Sequence, residues 1–198
     1  MSRRSVIGLV YMLQGITLLG IDPTPVLTRY GIDLETLDPA ADIERDQEMA
    51  ILQEVAALID NPLAGLSIGE SISTAGYGAL TMLLMTCDNT LEAMQAGVQY
   101  QQLTYLHGSL HIEEEGDFVA LVICPLPMQE GVRRILIDGD LSGTIKLLRE
   151  LQAQLGLKIL AAAAEIWIPY PRPKEYRAYE DYYQCPVRFG TTEARIRI

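Results

Sequence analysis

Gly65-Leu66-Ser67-Ile68-Gly69 satisfies the G-x-S-x-G pattern in which a serine nucleophile stands at a sharp strand-to-helix turn. That chemistry needs a strand before the serine and a histidine base later in the chain. Here the upstream segment, Met49 to Ile59, has helical periodicity and ends at Asn61-Pro62. His107 and His111 both fall at the start of a predicted hairpin, not in a long loop after a terminal strand. The residues favour a serine that packs or turns a helix, and a Ser67 hydrolase stands as the alternative. His107 and His111 are four apart, the zinc spacing of one helix face. The alternation after Gly108 predicts a strand instead, where that spacing separates two imidazoles by about 13 Å. Glu113, Glu114 and Glu115 read as a solvated hairpin tip rather than further ligands. Asp138-Gly139-Asp140 opens like a calcium loop, but its twelfth position is Arg149 where a bidentate glutamate is required. No catalytic residue, metal or cofactor is predicted.

Three cysteines, Cys87, Cys124 and Cys185, give an odd count with no C-x-x-C pair. They read as free thiols in a reducing cytoplasm. The aromatic inventory is more informative: ten tyrosines against two phenylalanines and one tryptophan. Tyr11, Tyr77, Tyr100 and Tyr105 fall in or beside apolar helical segments, with His107 just beyond, and Trp167 lies in an apolar strand. Such side chains line a mostly apolar pocket with a few orienting polar groups, and these six residues are the candidate pocket lining. Ordinary core packing with each hydroxyl reaching the surface is the other reading of each tyrosine. Arg133, Arg134 and Arg172 are candidate partners for a ligand carboxylate.

The elements that must position these residues follow from periodicity and caps. Val6 to Leu19 predicts a helix. Asp22-Pro23 caps and opens a short one that runs to about Tyr30 and stops at Gly31. Met49, Leu52, Val55, Ala56 and Ile59 define an amphipathic helix over about 44–60, and another short helix starts after Asn61-Pro62. Gly76 to Met85, almost wholly apolar, predicts a buried helix. Asn89 or Thr90 caps a helix that runs to about Tyr105. Ser109 to Glu115 and Phe118 to Cys124, joined by Gly116-Asp117, predict an antiparallel hairpin. A helix follows, clearest from Thr144 to Leu155 and stopped by Gly156. Then come a strand over 159–170, a polar helix from Lys174 to Tyr183, and short strands at Val187 to Phe189 and Ala194 to Ile198. Helices first, then a hairpin, then mixed elements imply a single α+β domain over residues 1–198, with helices packed around a small, mainly antiparallel sheet.

Composition limits the partners. Apolar residues make up 49% and charged residues 21% of the 198, a globular balance. A net charge of −11 repels phosphate backbones and anionic lipid, so this segment is a poor candidate for holding DNA, which another segment must hold if the whole protein binds it, and membrane binding is disfavoured. The uncharged stretch Val6 to Ile21 after Arg3-Arg4 looks like a secretory signal. It carries Gln14 and Thr17, lacks a small-x-small cleavage site and is interrupted by Gly8, Gly15 and Gly20, so a buried helix is expected.

Several segments resemble one family. They are Gly20-Ile21-Asp22-Pro23 with Leu27 and Gly31-Ile32, Gly65-Leu66-x-x-Gly69-Glu70, Gly76-Tyr77-Gly78-Ala79-Leu80, and Thr90-Leu91-Glu92-Ala93 leading to Tyr100. The last is Tyr176 with Cys185-Pro186-Val187-Arg188-Phe189-Gly190. In order and spacing the set resembles the N-terminal arabinose-binding-like domain of AraC-type transcription regulators. The resemblance implies a cytoplasmic effector-binding regulatory domain that often forms homodimers. It implies that DNA is bound only through a C-terminal helix-turn-helix domain, which 198 residues leave no room for. A ligand-free dimerisation module is the remaining alternative.

Overall fold

The computed structural model describes residues 3–155 and 163–198. Its largest element is α7 (Glu130–Leu155), against which the others are arranged. Before it, in chain order, come β1 (Arg3–Ser5), α1 (Ile7–Leu18), α2 (Thr24–Arg29), β2 (Asp42–Glu44) and α3 (Arg45–Ala56). Next are α4 (Ala64–Ser71), α5 (Ala79–Leu84), α6 (Thr90–Gln99) and the hairpin β3 (Ser109–Glu115)–β4 (Phe118–Cys124). After α7 come β5 (Glu165–Ile168), α8 (Tyr176–Tyr183), β6 (Val187–Phe189) and β7 (Ala194–Arg197). This is the expected α+β architecture.

Five strands form one sheet in the order β3-β4-β7-β5-β6, antiparallel except for the β5–β6 pair. Period-two alternation sorts its faces. Leu110, Leu121, Ile123, Ile166, Ala194 and Ile196 are buried beneath Ile137, Leu141 and Ile145 of α7 and Tyr179 and Tyr183 of α8. The opposite face carries His111, Glu113, Arg195, Arg197, Glu165 and Trp167, which are cross-strand or alternate neighbours in the ladders. Arg195 pairs with Glu113 at 2.7 Å, and Arg197 with Glu115 at 2.8 Å and Glu165 at 2.7 Å.

The helices meet through small residues. Gly65 and Gly69 of α4 lie against α7 so closely that a Cβ on Gly69 would stand 2.5 Å from the Gly139 carbonyl oxygen and 2.6 Å from the Gly143 amide nitrogen. The G-x-S-x-G sequence is therefore a helix-packing face. Ser67, one step off that face, is exposed in the middle of α4, with no strand leading into it.

Several expectations change. The helix predicted over Thr144–Leu155 begins at Glu130, 14 residues earlier than its clearest sequence signal. The buried helix expected over Gly76–Met85 is a 3-10 turn, Thr74–Tyr77, and a short α5, separated by Gly78 at φ +51°. Its outer side is bare, with Met82 71% exposed, because α5 roofs the core instead of crossing it. The helix from Asn89 ends at Gln99 and continues as a 3-10 turn over Gln101–Leu103. Asn89 does cap it, accepting from the Glu92 amide at 2.9 Å. The N-terminal residues pair as β1 with β2, a ladder too short for periodicity to reveal. Of the strand expected over 159–170, the structure shows Glu165–Ile168; the first part of that stretch, Gly156 and the Leu155 side chain lie outside what is described.

Candidate functional site

Three of the singled-out tyrosines converge. Tyr11 comes from α1, Tyr77 from the turn before α5, and Tyr105 from the segment between α6 and β3. The Tyr77 and Tyr105 rings stack with centroids 4.5 Å apart, and Tyr11 tilts against Tyr105 at 5.4 Å. Gly76 makes this possible: a Cβ there would lie 2.5 Å from the Tyr11 ring and 2.6 Å from the Tyr105 hydroxyl. The Tyr105 hydroxyl donates to the Gly76 carbonyl, tying the turn to the ring stack. Burial pushes the Tyr105 hydroxyl up to about 12. Burial, aided by the Asp140 carboxylate, pushes that of Tyr77 far above its usual value, so both stay neutral hydrogen-bonding groups.

Around this stack lie two spaces. An outer cleft of about 210 Å³ is walled by Arg4, Ile7, Gly76, Tyr77, Leu103 and Tyr105. An inner cavity of about 50 Å³ lies under α5 and α6, walled by Leu84, Met94, Gly97, Leu121, Leu148 and Leu151. Tyr77, Leu80 and Thr104 belong to both walls and form the partition. The cleft has one cation at its mouth. Arg4 donates to the carbonyls of Thr104 at 3.2 Å and Leu106 at 3.1 Å, and its Nε lies 3.7 Å from the fully buried Glu48.

The other candidate residues sit elsewhere. Tyr100 packs on the same apolar cluster from the end of α6 but walls neither space. His107 is buried and walls neither space. Its Nδ1 is 3.1 Å from Asp140 of α7, its amide donates to the same carboxylate at 3.1 Å, and its Nε2 has no partner among the described residues. It anchors the start of β3 to α7. Trp167 does not join the cluster: it stands on the outer face of the sheet, with the guanidinium of Arg195 5.1 Å from its ring. His111 also faces outward, so the two histidines do not converge, and the described residues contain no group of three metal-ligating side chains.

The arginines weighed as carboxylate partners also lie away from the cleft. Arg133 and Arg134 wall a separate pocket of about 220 Å³ with Glu130 and Tyr170. Arg134 donates to the Pro62 carbonyl at 3.0 Å and the Tyr179 hydroxyl at 3.2 Å, and Arg172 lies 3.5 Å over the Tyr176 ring. The residue sequence reasoning missed is Arg4. Its only signal was a charge immediately before an uncharged helix. A depression of about 860 Å³ along Thr17–Glu35 is an open furrow. Two of its carboxylates are spent on backbone amides: Asp22 on Thr24 at 2.9 Å and Asp33 on Glu35 at 3.0 Å.

Residues 20–198 match the family described as the arabinose-binding domain of AraC transcription regulators, N-terminal. The chain belongs to this family. The AraC-type domain also has a structural counterpart in the transcriptional regulator CdpR from Pseudomonas aeruginosa. The TM-score is 0.65 at 19% identity, over 89% of this chain and 53% of that one. At that identity the likeness establishes the shared fold, and the chain spans about half the length of its neighbour. No curated protein matches the sequence. The matched region includes Gly65, Gly69 and Gly76, whose close contacts the geometry explains. No described helix is long and apolar enough to cross a membrane.

Proposed function

We propose that this AraC-type domain senses a small, partly hydrophobic molecule at the Tyr77 partition and passes that state to a DNA-binding segment outside the chain. One observation carries the reading. A cleft with stacked tyrosines and one arginine at its mouth is separated from an apolar cavity only by Tyr77, Leu80 and Thr104. An acid with an apolar tail matches that order of chemistry, its carboxylate at Arg4 and its tail beneath α5–α6. The cavity alone is smaller than such a guest, so α5–α6 must lift. Gly78, at positive φ, and the 3-10 turn after Gln99 flank this roof and supply its hinges. The role is regulatory, cytoplasmic and non-catalytic. The charge of −11 assigns phosphate contacts to the other segment.

A second reading, a ligand-free dimerisation module, is favoured by the small cavity and by exposed Met82, Leu83, Met85 and Leu103. Thermal shift and calorimetry with fatty and aromatic acids separate the two. A ligand at a hundredfold excess over its Kd adds about 2.7 kcal/mol, a Tm rise of roughly 5–10 °C. Gly97→Leu, which adds a branched side chain at the cavity wall, should abolish that rise. A rise that survives in Gly97→Leu, or no response to any acid alongside a concentration-dependent dimer, defeats the sensing reading.

A further inference from the structure

The hairpin carries an arrangement that the sensing role does not use. Cys124, at the end of β4, is paired with Ser109, and His111 and Glu113 follow at alternate positions of β3. All three side chains therefore lie on the outer face of the sheet. The Cys124 sulfur is 3.7 Å from His111 Nδ1, and His111 Nε2 is 3.1 Å from Glu113 Oε1. The two ring nitrogens face opposite partners. That is a relay and not a chelate, since a metal would need donors converging on one point. With the ring proton on Nε2 and donated to Glu113, Nδ1 offers its lone pair to the thiol.

We propose that Cys124 is a covalent modification site for soft carbon electrophiles of the α,β-unsaturated carbonyl class, with His111 as its base and Glu113 holding the imidazole. The order of groups is nucleophile, base within hydrogen-bond reach, and a third group that orients the base. In the step, His111 Nδ1 takes the thiol proton and the sulfur bonds to the β-carbon. The alkene π pair shifts to the α-carbon and carbonyl oxygen, and the proton returns to the α-carbon. Nothing leaves and no oxidant is needed. The transient imidazolium lies against Glu113, which its hydrogen bond to His111 and the nearby Arg195 hold below the usual carboxylate range. Arg195, 2.7 Å from Glu113, also keeps that carboxylate in place. Cys124 is half-buried, and His111 and Glu113 beside it are each about two-fifths exposed, so the group lies on an open face of the sheet.

The other two thiols lack such help. Burial pushes the Cys87 thiol up, with the charges of Glu92 and Asp88 adding to the effect, and its sulfur lies 3.5 Å from the Leu83 carbonyl. Burial likewise pushes up that of Cys185. Reactivity should therefore be selective within one chain.

The test is N-ethylmaleimide at one equivalent, followed by intact mass and peptide mapping over time. Cys124 should be labelled first, about tenfold or more ahead of Cys87 and Cys185. His111→Ala should remove that advantage, and Glu113→Gln should reduce it several-fold, while the rates at the other two cysteines stay unchanged. Unfolding in urea should equalise all three rates, which separates activation by the fold from an intrinsically reactive peptide. Circular dichroism and Tm of each variant check that the fold persists. The relay is refuted if Cys124 reacts no faster than Cys185 in the folded chain. It is equally refuted if folded His111→Ala keeps the native rate.

Discussion

Gly69→Ala tests the packing that holds α4 against α7. In an exposed helix interior the substitution stabilises by about 1 kcal/mol, because alanine is the better helix former. Here the added methyl would collide with the Ser142 hydroxyl and stand 2.5 Å and 2.6 Å from backbone atoms of Gly139 and Gly143. The serine can rotate away, but the backbone atoms cannot. Relief requires the two helices to separate by most of an ångström, an overpacking that costs about 3 kcal/mol at the upper end of its usual range. The net expectation is a loss of about 2 kcal/mol, or roughly 4–8 °C in Tm for a domain of this size. Gly97→Ala in α6 is the internal control. Its Cβ would meet nothing within 4 Å, so it should gain about 0.5–1 kcal/mol. Urea denaturation of both variants against the parent chain supplies the measurement. If Gly69→Ala proves as stable as Gly97→Ala, the account of α4 as a small-residue packing helix is wrong.

Two further outcomes follow from named groups. Asp138 is buried under the Tyr170 and Tyr179 hydroxyls, and burial pushes its carboxyl up to about 7 against those hydrogen bonds and nearby Arg134. A folded-state value above the unfolded one means that the native state keeps a proton the unfolded chain releases. Asp138 therefore erodes stability as pH rises from about 4 through about 7. Asp138→Asn should flatten that fall in denaturation series at several pH values, and an unchanged profile would show that Asp138 is not its source. Trp167, the single tryptophan, lies on the sheet face opposite the cavity. A guest under α5–α6 should raise Tm while leaving its emission nearly constant, and strong quenching at saturation would put the guest on the outer face.

What the sequence disclosed depended on how local each signal was. Gly116-Asp117 between two alternating runs placed the hairpin, and the observed strands have the expected limits, Ser109–Glu115 and Phe118–Cys124. Once those limits are known, counting outward from the turn sets Cys124 opposite Ser109 and on the face of His111. That relay was thus within reach of the sequence. The first half of α7 was not, because Gly131, Asp138, Gly139, Asp140, Ser142 and Gly143 are poor helix formers in isolation. Apart from Gly131 they are matched by another segment: Gly139 and Gly143 by α4, Ser142 by the Gly65 carbonyl, Asp138 by two tyrosines, Asp140 by His107. Tyr11, Tyr77 and Tyr105 were recognisable from their apolar helical settings, but their convergence depends on Gly76, a tertiary contact. Trp167 went astray although Glu165-Ile166-Trp167-Ile168 alternates. Reading Ile166 and Ile168 as the inward pair would have turned Trp167 outward.

The same arrangement bears on how the proposed sensor would transmit its state. Along one helix, α7 supplies Arg134 and Asp138 to the polar network near its start, Gly139 and Gly143 to α4, and Asp140 to His107. It also supplies Thr144, Leu147, Leu148 and Leu151 to the cavity wall. A guest that enters beneath α5–α6 would press on a helix whose adjoining face is already packed closely against α4. The compliant side is the roof, where Gly78 and the 3-10 turn interrupt regular structure and Met82 faces solvent. A ligand shifts a conformational equilibrium only by its differential affinity for two states, usually about 1–3 kcal/mol of coupling. In the proposed sensor that energy would be delivered to the exposed surface of α5–α6, the surface a second subunit or a DNA-binding segment would have to touch in order to respond.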